Sequence, residues 1–155
     1  MYRIRSGSIQ VLLVHPGGPF FRNTDEGVWS IPKGEIEQDE DLLAAAQREF
    51  EEETGLNPEG PFTSLAAVKQ KGGKIVHAWT FEGDCDPGAL VSNTFTMEWP
   101  PRSGRRMEFT EIDQAEFFDL DAARRKINAG QASLIDELEQ HLGGEACKDA
   151  TPQNE

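Results

Sequence analysis

The chain has 155 residues, 37% hydrophobic and 28% charged, with 28 acidic against 15 basic side chains and a formal net charge of −13. That length fits one domain and lets folding bury roughly 70% of the surface of the unfolded chain, so a core needs no disulfide. No apolar run approaches the roughly 20 residues that span a bilayer, and the net charge opposes a tight hold on a nucleic-acid backbone, so neither a membrane nor a nucleic-acid polymer is an expected partner.

Residues 2–4 and 10–15 read as strands joined through the turn residues Ser6, Gly7 and Ser8. Residues 15–26 are a Gly/Pro/Asn/Asp-rich loop, and residues 29–31 a short extended piece ended by Pro32 and Gly34. A helix is predicted from about Glu40 to Thr54, capped by Asp39 or Asp41 and stopped by Gly55. Residues 64–69 and 74–81 form a predicted hairpin around Gly72 and Gly73. Residues 84–106, with Pro87, Pro100 and Pro101, read as irregular. Residues 116–119 are a last strand, followed by helices over 120–129 and 132–142. The expectation is an α/β or α+β layered fold, with one domain over residues 1–142 and a polar, fraying tail over 143–155. Cys85 and Cys147 show no pairing or metal-ligand pattern, and residues 11–14 are too short for a signal-peptide core, so the expected location is the cytoplasm.

The informative segment is residues 34–56, GEIEQDEDLLAAAQREFEEETGL. On a helical wheel at about 100° per residue, Leu42, Leu43, Ala46 and Phe50 form a core-facing stripe. Glu53 falls inside that arc, Glu49 at its edge and Glu52 beside Glu49, while Glu51 points away. Three like charges at i, i+3 and i+4 repel, oppose the dipole at a helix C-terminus, and lie against apolar surface. A divalent cation relieves all three penalties, and clustered carboxylate oxygens suit Mg²⁺ or Mn²⁺, which also bind phosphate oxygens. The plainer reading is an acidic amphipathic helix paired with Arg48 and nearby lysines.

The same segment resembles the Nudix box: Gly34, five residues, Glu40, seven residues, then Arg48, Glu49, Phe50, any residue, Glu52, Glu53, any residue, Gly55 and Leu56. Every position of the pattern is met, with chance odds on the order of 10⁻⁹ to 10⁻¹⁰ per start. The resemblance implies a Nudix-type α/β/α sandwich around a mixed β-sheet. It also implies a divalent metal (Mg²⁺ or Mn²⁺) and a nucleotide-like small-molecule substrate containing a nucleoside diphosphate. It assigns Glu52 and Glu53 as main metal ligands, Glu49 as a further ligand or general base, and the Gly34 carbonyl as another ligand. Arg48 orients a glutamate and Glu40 supports the metal shell. One departure lies outside the box: the opening strand is shorter than the family's usual one.

Other candidates are single residues. Lys33, in the lead-in Trp29-Ser30-Ile31-Pro32-Lys33-Gly34, is placed to touch a substrate phosphate, and that WxxPKG form resembles Nudix enzymes acting on dinucleoside polyphosphates. Lys69, Lys71 and Lys74 at the hairpin turn, and Arg102, Arg105 and Arg106 in the Pro-rich segment, are expected to hold further phosphates. Glu108 and Glu111 precede the last strand, where the family often carries another catalytic carboxylate, with Glu111 favoured. Trp79, Phe81 and Trp99 can stack on a base or fill the core. His77 reads as structural. The leading expectation is a dinucleoside polyphosphate hydrolase. A house-cleaning hydrolase of oxidised nucleoside triphosphates and a non-catalytic nucleotide-sensing module are the alternatives.

Overall fold

The computed structural model describes residues 1–146, without the side chains of Glu145 and Ala146. Of the tail expected over residues 143–155, residues 147–155, and Cys147 with them, lie outside the described residues.

The longest strand is the spine of the fold. β1 (Tyr2–Arg5) turns into β2 (Ser8–Pro16), which pairs antiparallel with β1 on one edge and with β7 (Ile112–Asp119) on the other. Five consecutive residues of β2, Val11 to His15, are buried, as an unbroken apolar run covered on both faces requires. Leu12 packs on one face with Phe50, Phe81 and Phe117. Val11 and Leu13 pack on the other with Trp29, Phe118, Ala123, Ile135 and Leu138.

Those two clusters define the layers. Phe50 belongs to α1 (Leu42–Thr54), whereas Ala123 belongs to α2 (Leu120–Lys126) and Ile135 and Leu138 to α3 (Ala132–Ala146). Helices therefore cover both faces of the sheet, an α/β/α sandwich. Each buried aliphatic or aromatic side chain contributes about 1.5–3 kcal/mol. Parallel bridges from Tyr2 to Glu82 and from Trp29 to Ile127 give the sheet its mixed character. β3 (Thr63–Lys69) and β4 (Ile75–Thr80) form the expected hairpin.

Several expectations are corrected. α1 starts at Leu42, because Asp41 rather than Asp39 caps it, accepting from the N–H groups of Leu43 and Ala44 at 3.1 Å each. Its end is as expected: Gly55 takes φ 74° and donates its N–H to the Glu51 carbonyl. Leu42 is 37% exposed rather than core-facing, and the buried residues of α1 are Ala45, Phe50 and Thr54. The segment expected to be irregular over 84–106 holds a 3-10 turn at Pro87–Ala89 and one strand, β5 (Thr94–Glu98), which pairs with β6 (Arg106–Thr110). Pro100 and Pro101 mask this hairpin in sequence, yet both lie in its turn, where no ladder N–H is needed. β7 begins at Ile112, α2 ends at Lys126, and Gly143 and Gly144, expected in the tail, lie in α3.

Candidate functional site

The box folds as an extended lead-in and loop over residues 29–41, followed by α1. Gly34 is pressed against the helix: a Cβ there would stand 1.7 Å from Glu49 Oε2. A side chain has no room, which explains a glycine where φ makes no demand. The Glu35 N–H donates to Glu49 Oε1 at 3.1 Å, and the Lys33 N–H to Glu53 Oε2 at 2.8 Å. Main-chain donors of the loop thus hold two of the three glutamates.

Arg48 ties the loop to the helix. Its guanidinium grips Glu40 with two bonds of 2.9 Å each, donates to Glu49 at 2.8 Å and to the Glu35 carbonyl at 3.0 Å, and reaches Glu52 at 3.3 Å. Planar, bidentate pairing of this kind suits arginine and not lysine. The Arg48 bonds and the Glu37 N–H hold the Glu40 carboxyl well below its usual range, at about 2. Its carboxylates raise the Arg48 pKa in turn.

Glu53 is in the opposite situation. Burial pushes its carboxyl up to about 7, opposed by the Lys33 N–H and ammonium and reinforced by the charges of Glu49 and Glu111. Glu111 therefore lies within electrostatic reach of the helix acids, whereas Glu108 on β6 accepts from the Thr94 hydroxyl. The donors are hard carboxylate oxygens, and burial with like charges disfavours the ionised form of Glu53, an imbalance a divalent cation corrects. The residues present fit Mg²⁺ or Mn²⁺ in donor chemistry. Among the described residues, however, no three His, Cys, Asp or Glu side chains stand together as a ready ligand set, and Arg48 donates to both Glu49 and Glu52.

The family-wide pattern for the NUDIX domain matches residues 2–138 of this chain. The chain belongs to the Nudix family. A 55-residue stretch of this Nudix protein is 42% identical to the RNA pyrophosphohydrolase of Roseobacter denitrificans, covering 33% of this chain and 34% of that one. A 67-residue stretch is 36% identical to Nudix hydrolase 7 of Arabidopsis thaliana, covering 43% and 22%. The matches thus span about a third and about a fifth of those relatives' own length. In structure the chain is similar to a C. elegans Ap4A hydrolase in a binary complex, with TM-score 0.58, 23% identity and 92% and 93% of the two chains covered. It is also similar to the NUDIX domain of Shewanella oneidensis NrtR complexed with ADP ribose, with TM-score 0.59, 18% identity and 91% and 82% covered. These likenesses establish the Nudix fold.

The remaining candidates are dispersed. Lys33 stands beside Glu53, and Lys74 Nζ approaches Glu35 at 3.5 Å, while Lys69 and Lys71 are exposed and make no ion pair among the described residues. Arg102 and Arg105 lie in the β5–β6 turn, with no hydrogen bond or ion pair to the α1 glutamates among the described residues. Phe81 is buried against Phe50 and Phe62, so it is core, not a stacking platform. Trp79 and the exposed His77 line a largely apolar cavity of about 140 Å³ that also touches Lys33, Gly34 and Glu49. Sequence reasoning missed Glu35, which acts through its main chain and so carries no residue signature. It also missed the fastening of the lead-in loop: buried His15 is hydrogen-bonded to Asp113 at 2.6 Å and to the Thr24 carbonyl at 2.7 Å. No helix of the described residues is long and apolar enough to cross a membrane.

Proposed function

We propose that this chain is a Nudix hydrolase of the cytoplasm that cleaves the diphosphate linkage of a nucleoside diphosphate derivative, with a dinucleoside polyphosphate as its preferred substrate. The observation that carries the reading is the clasp of the Lys33–Gly34–Glu35 loop on Glu49 and Glu53, with Glu111 nearby. In hydrolysis a water oxygen bonds to phosphorus, the bridging P–O bond breaks, and a carboxylate takes the water proton. Bound Mg²⁺ or Mn²⁺ supplies charge neutralisation on the phosphoryl oxygens and on the leaving phosphate. Glu52 and Glu53 hold the cation with the Gly34 carbonyl. Glu49 is a further ligand or the proton acceptor, and Arg48, itself fixed by Glu40, positions Glu49 through a direct bond. Lys33 faces the substrate phosphates.

The test is hydrolysis with Mg²⁺ across one panel: dinucleoside polyphosphates, ordinary and oxidised nucleoside triphosphates, ADP-ribose and NADH, with Glu53→Gln as control. Preference for the dinucleoside polyphosphates is expected, with loss on chelation and recovery with Mg²⁺ or Mn²⁺. Preference for oxidised triphosphates replaces the substrate with the house-cleaning class. Nucleotide binding without turnover on any member refutes the enzyme and leaves a sensor.

A further inference from the structure

Most arginines of this acidic chain are spoken for. Arg3, Arg5, Arg48 and Arg124 make ion pairs, and Arg125 donates to the Asp121 carbonyl. The guanidinium groups of Arg22, Arg102, Arg105 and Arg106 make no hydrogen bond or ion pair among the described residues, and all four residues are exposed. They lie on only two segments, the loop after β2 and the β5–β6 hairpin.

Those segments are packed on each other. The rings of Phe20 and Trp99 meet edge to face, with centroids 5.4 Å apart at 82°. A Cβ on Gly18 would touch the Phe95 ring at 3.0 Å, and one on Gly17 would stand 1.9 Å from the Thr110 carbonyl oxygen. Phe20 is nonetheless 63% exposed and Phe21 41%. That exposure leaves ring surface on Phe20 open to a planar partner. Aromatic rings beside unpaired arginines are what stacking bases and phosphates bind.

The surface is anchored at the site. The Gly17 N–H donates to the Glu111 carbonyl at 2.8 Å, and Glu111 follows directly on β6. From Glu111 back to Arg106 the extended strand covers about 17 Å at roughly 3.3 Å per residue. The dinucleoside polyphosphate of the proposed function carries a second base and further phosphates, the two kinds of group that the exposed Phe20 ring and the unpaired arginines complement. A polymer is the poorer fit, because four arginines among Glu98 and Glu108, in a chain of net charge −13, fall short of the 6–10 phosphate contacts of a polymer binder.

We propose that residues 17–22 and the β5–β6 turn form the docking surface for the distal nucleotide of a dinucleoside polyphosphate, resting on the reading that its reacting diphosphate sits at α1. Phe20 stacks on the distal base, and Arg22, Arg102, Arg105 and Arg106 take up the far phosphates.

The experiment measures affinity of the intact chain, with Mg²⁺, for three probes: methylene-bridged diadenosine tetraphosphate, methylene-bridged ATP and a 5′-triphosphorylated tetranucleotide RNA. The variants are Phe20→Ala and the double Arg105→Gln, Arg106→Gln, all at exposed positions, with the melting temperature as a folding check. The dinucleotide should bind at least tenfold tighter than the ATP analogue. Each variant should lose about tenfold for the dinucleotide and less than twofold for the ATP analogue. Equal losses for both, no loss, tighter binding of the RNA, or no binding of the dinucleotide each overturn the proposal. Selective loss in a chain that hydrolyses nothing sustains the surface while refuting the hydrolase.

Discussion

Gly34 and Glu49 are in such close contact that a single methyl group on the glycine would overlap the glutamate carboxylate, 1.7 Å from its oxygen. Gly34→Ala must therefore push Glu49 out of its bonds to Arg48 and to the Glu35 N–H. Gly34 is exposed and outside the core, and the atoms it would meet are the mobile end of the Glu49 side chain, so the fold survives with little loss of stability. The turnover number should fall by roughly two orders of magnitude, about 2.7 kcal/mol of barrier. Steady-state kinetics beside a thermal melt check this. An active Gly34→Ala enzyme would show that Glu49 need not stay where it is.

Glu53 makes stability depend on pH. Its carboxyl is raised from 4.5 to about 7 by burial, so the folded state favours the protonated form. That contribution is fully present below about 4.5, declines as pH rises, and is lost once pH passes about 7. In metal-free protein at pH 8, Glu53→Gln removes the penalty of the buried charge and should raise stability by roughly 1–3 kcal/mol. For a chain of this size that is about 3–8 °C in melting temperature. The same variant should be nearly inactive. Adding Mg²⁺ should raise the melting temperature of the unsubstituted chain and leave the variant almost unmoved. Equal shifts in both would remove Glu53 from the metal site.

Arg48 carries the link between the loop and α1. Arg48→Lys keeps the charge but loses the two-bond grip on Glu40 and the reach to the Glu35 carbonyl. We expect a fall in kcat of about tenfold to a hundredfold with KM for the nucleotide little changed. The Glu40 partnership also has an acid signature. Its carboxyl is depressed from 4.5 to about 2, so its stabilisation is present above about 4.5 and disappears as pH falls through 2. The stability gap between the unsubstituted chain and Arg48→Ala should therefore narrow as pH is lowered across that window. Denaturant melts at several pH values give the comparison.

Glu111 and Glu108 have different surroundings, and this separates their roles. The charge of Glu111 acts on Glu53, while Glu108 is held by the Thr94 hydroxyl on the β5–β6 hairpin. Glu111→Gln should lower kcat by about tenfold or more and move the acid limb of the pH–rate profile downward, because one of the charges raising Glu53 is gone. Glu108→Gln should stay within about twofold. The reverse order would make β6 the source of the extra carboxylate.

The sequence by itself determined the local part of this protein. Gly55 and one of Asp39 or Asp41 mark the ends of α1 through contacts within four residues, residues 10–15 mark a strand, and the spacing from Gly34 to Leu56 marks the box. Each of these is written in near neighbours, where periodicity and capping chemistry operate. Tertiary structure decided what depends on partners far along the chain. The β5–β6 hairpin is invisible in a segment rich in proline until its turn is seen to lie outside the ladder. The wheel separates Glu53 from Glu52, but the burial that raises the Glu53 carboxyl, and the Lys33 N–H from 20 residues earlier that bonds to it, come from the folded chain. Phe20 and Arg22 read as loop until their segment packs against the hairpin that carries Trp99 and its arginines. Burial, and with it the cost of a charge, is set by which surfaces meet, and no window of neighbouring residues contains that information.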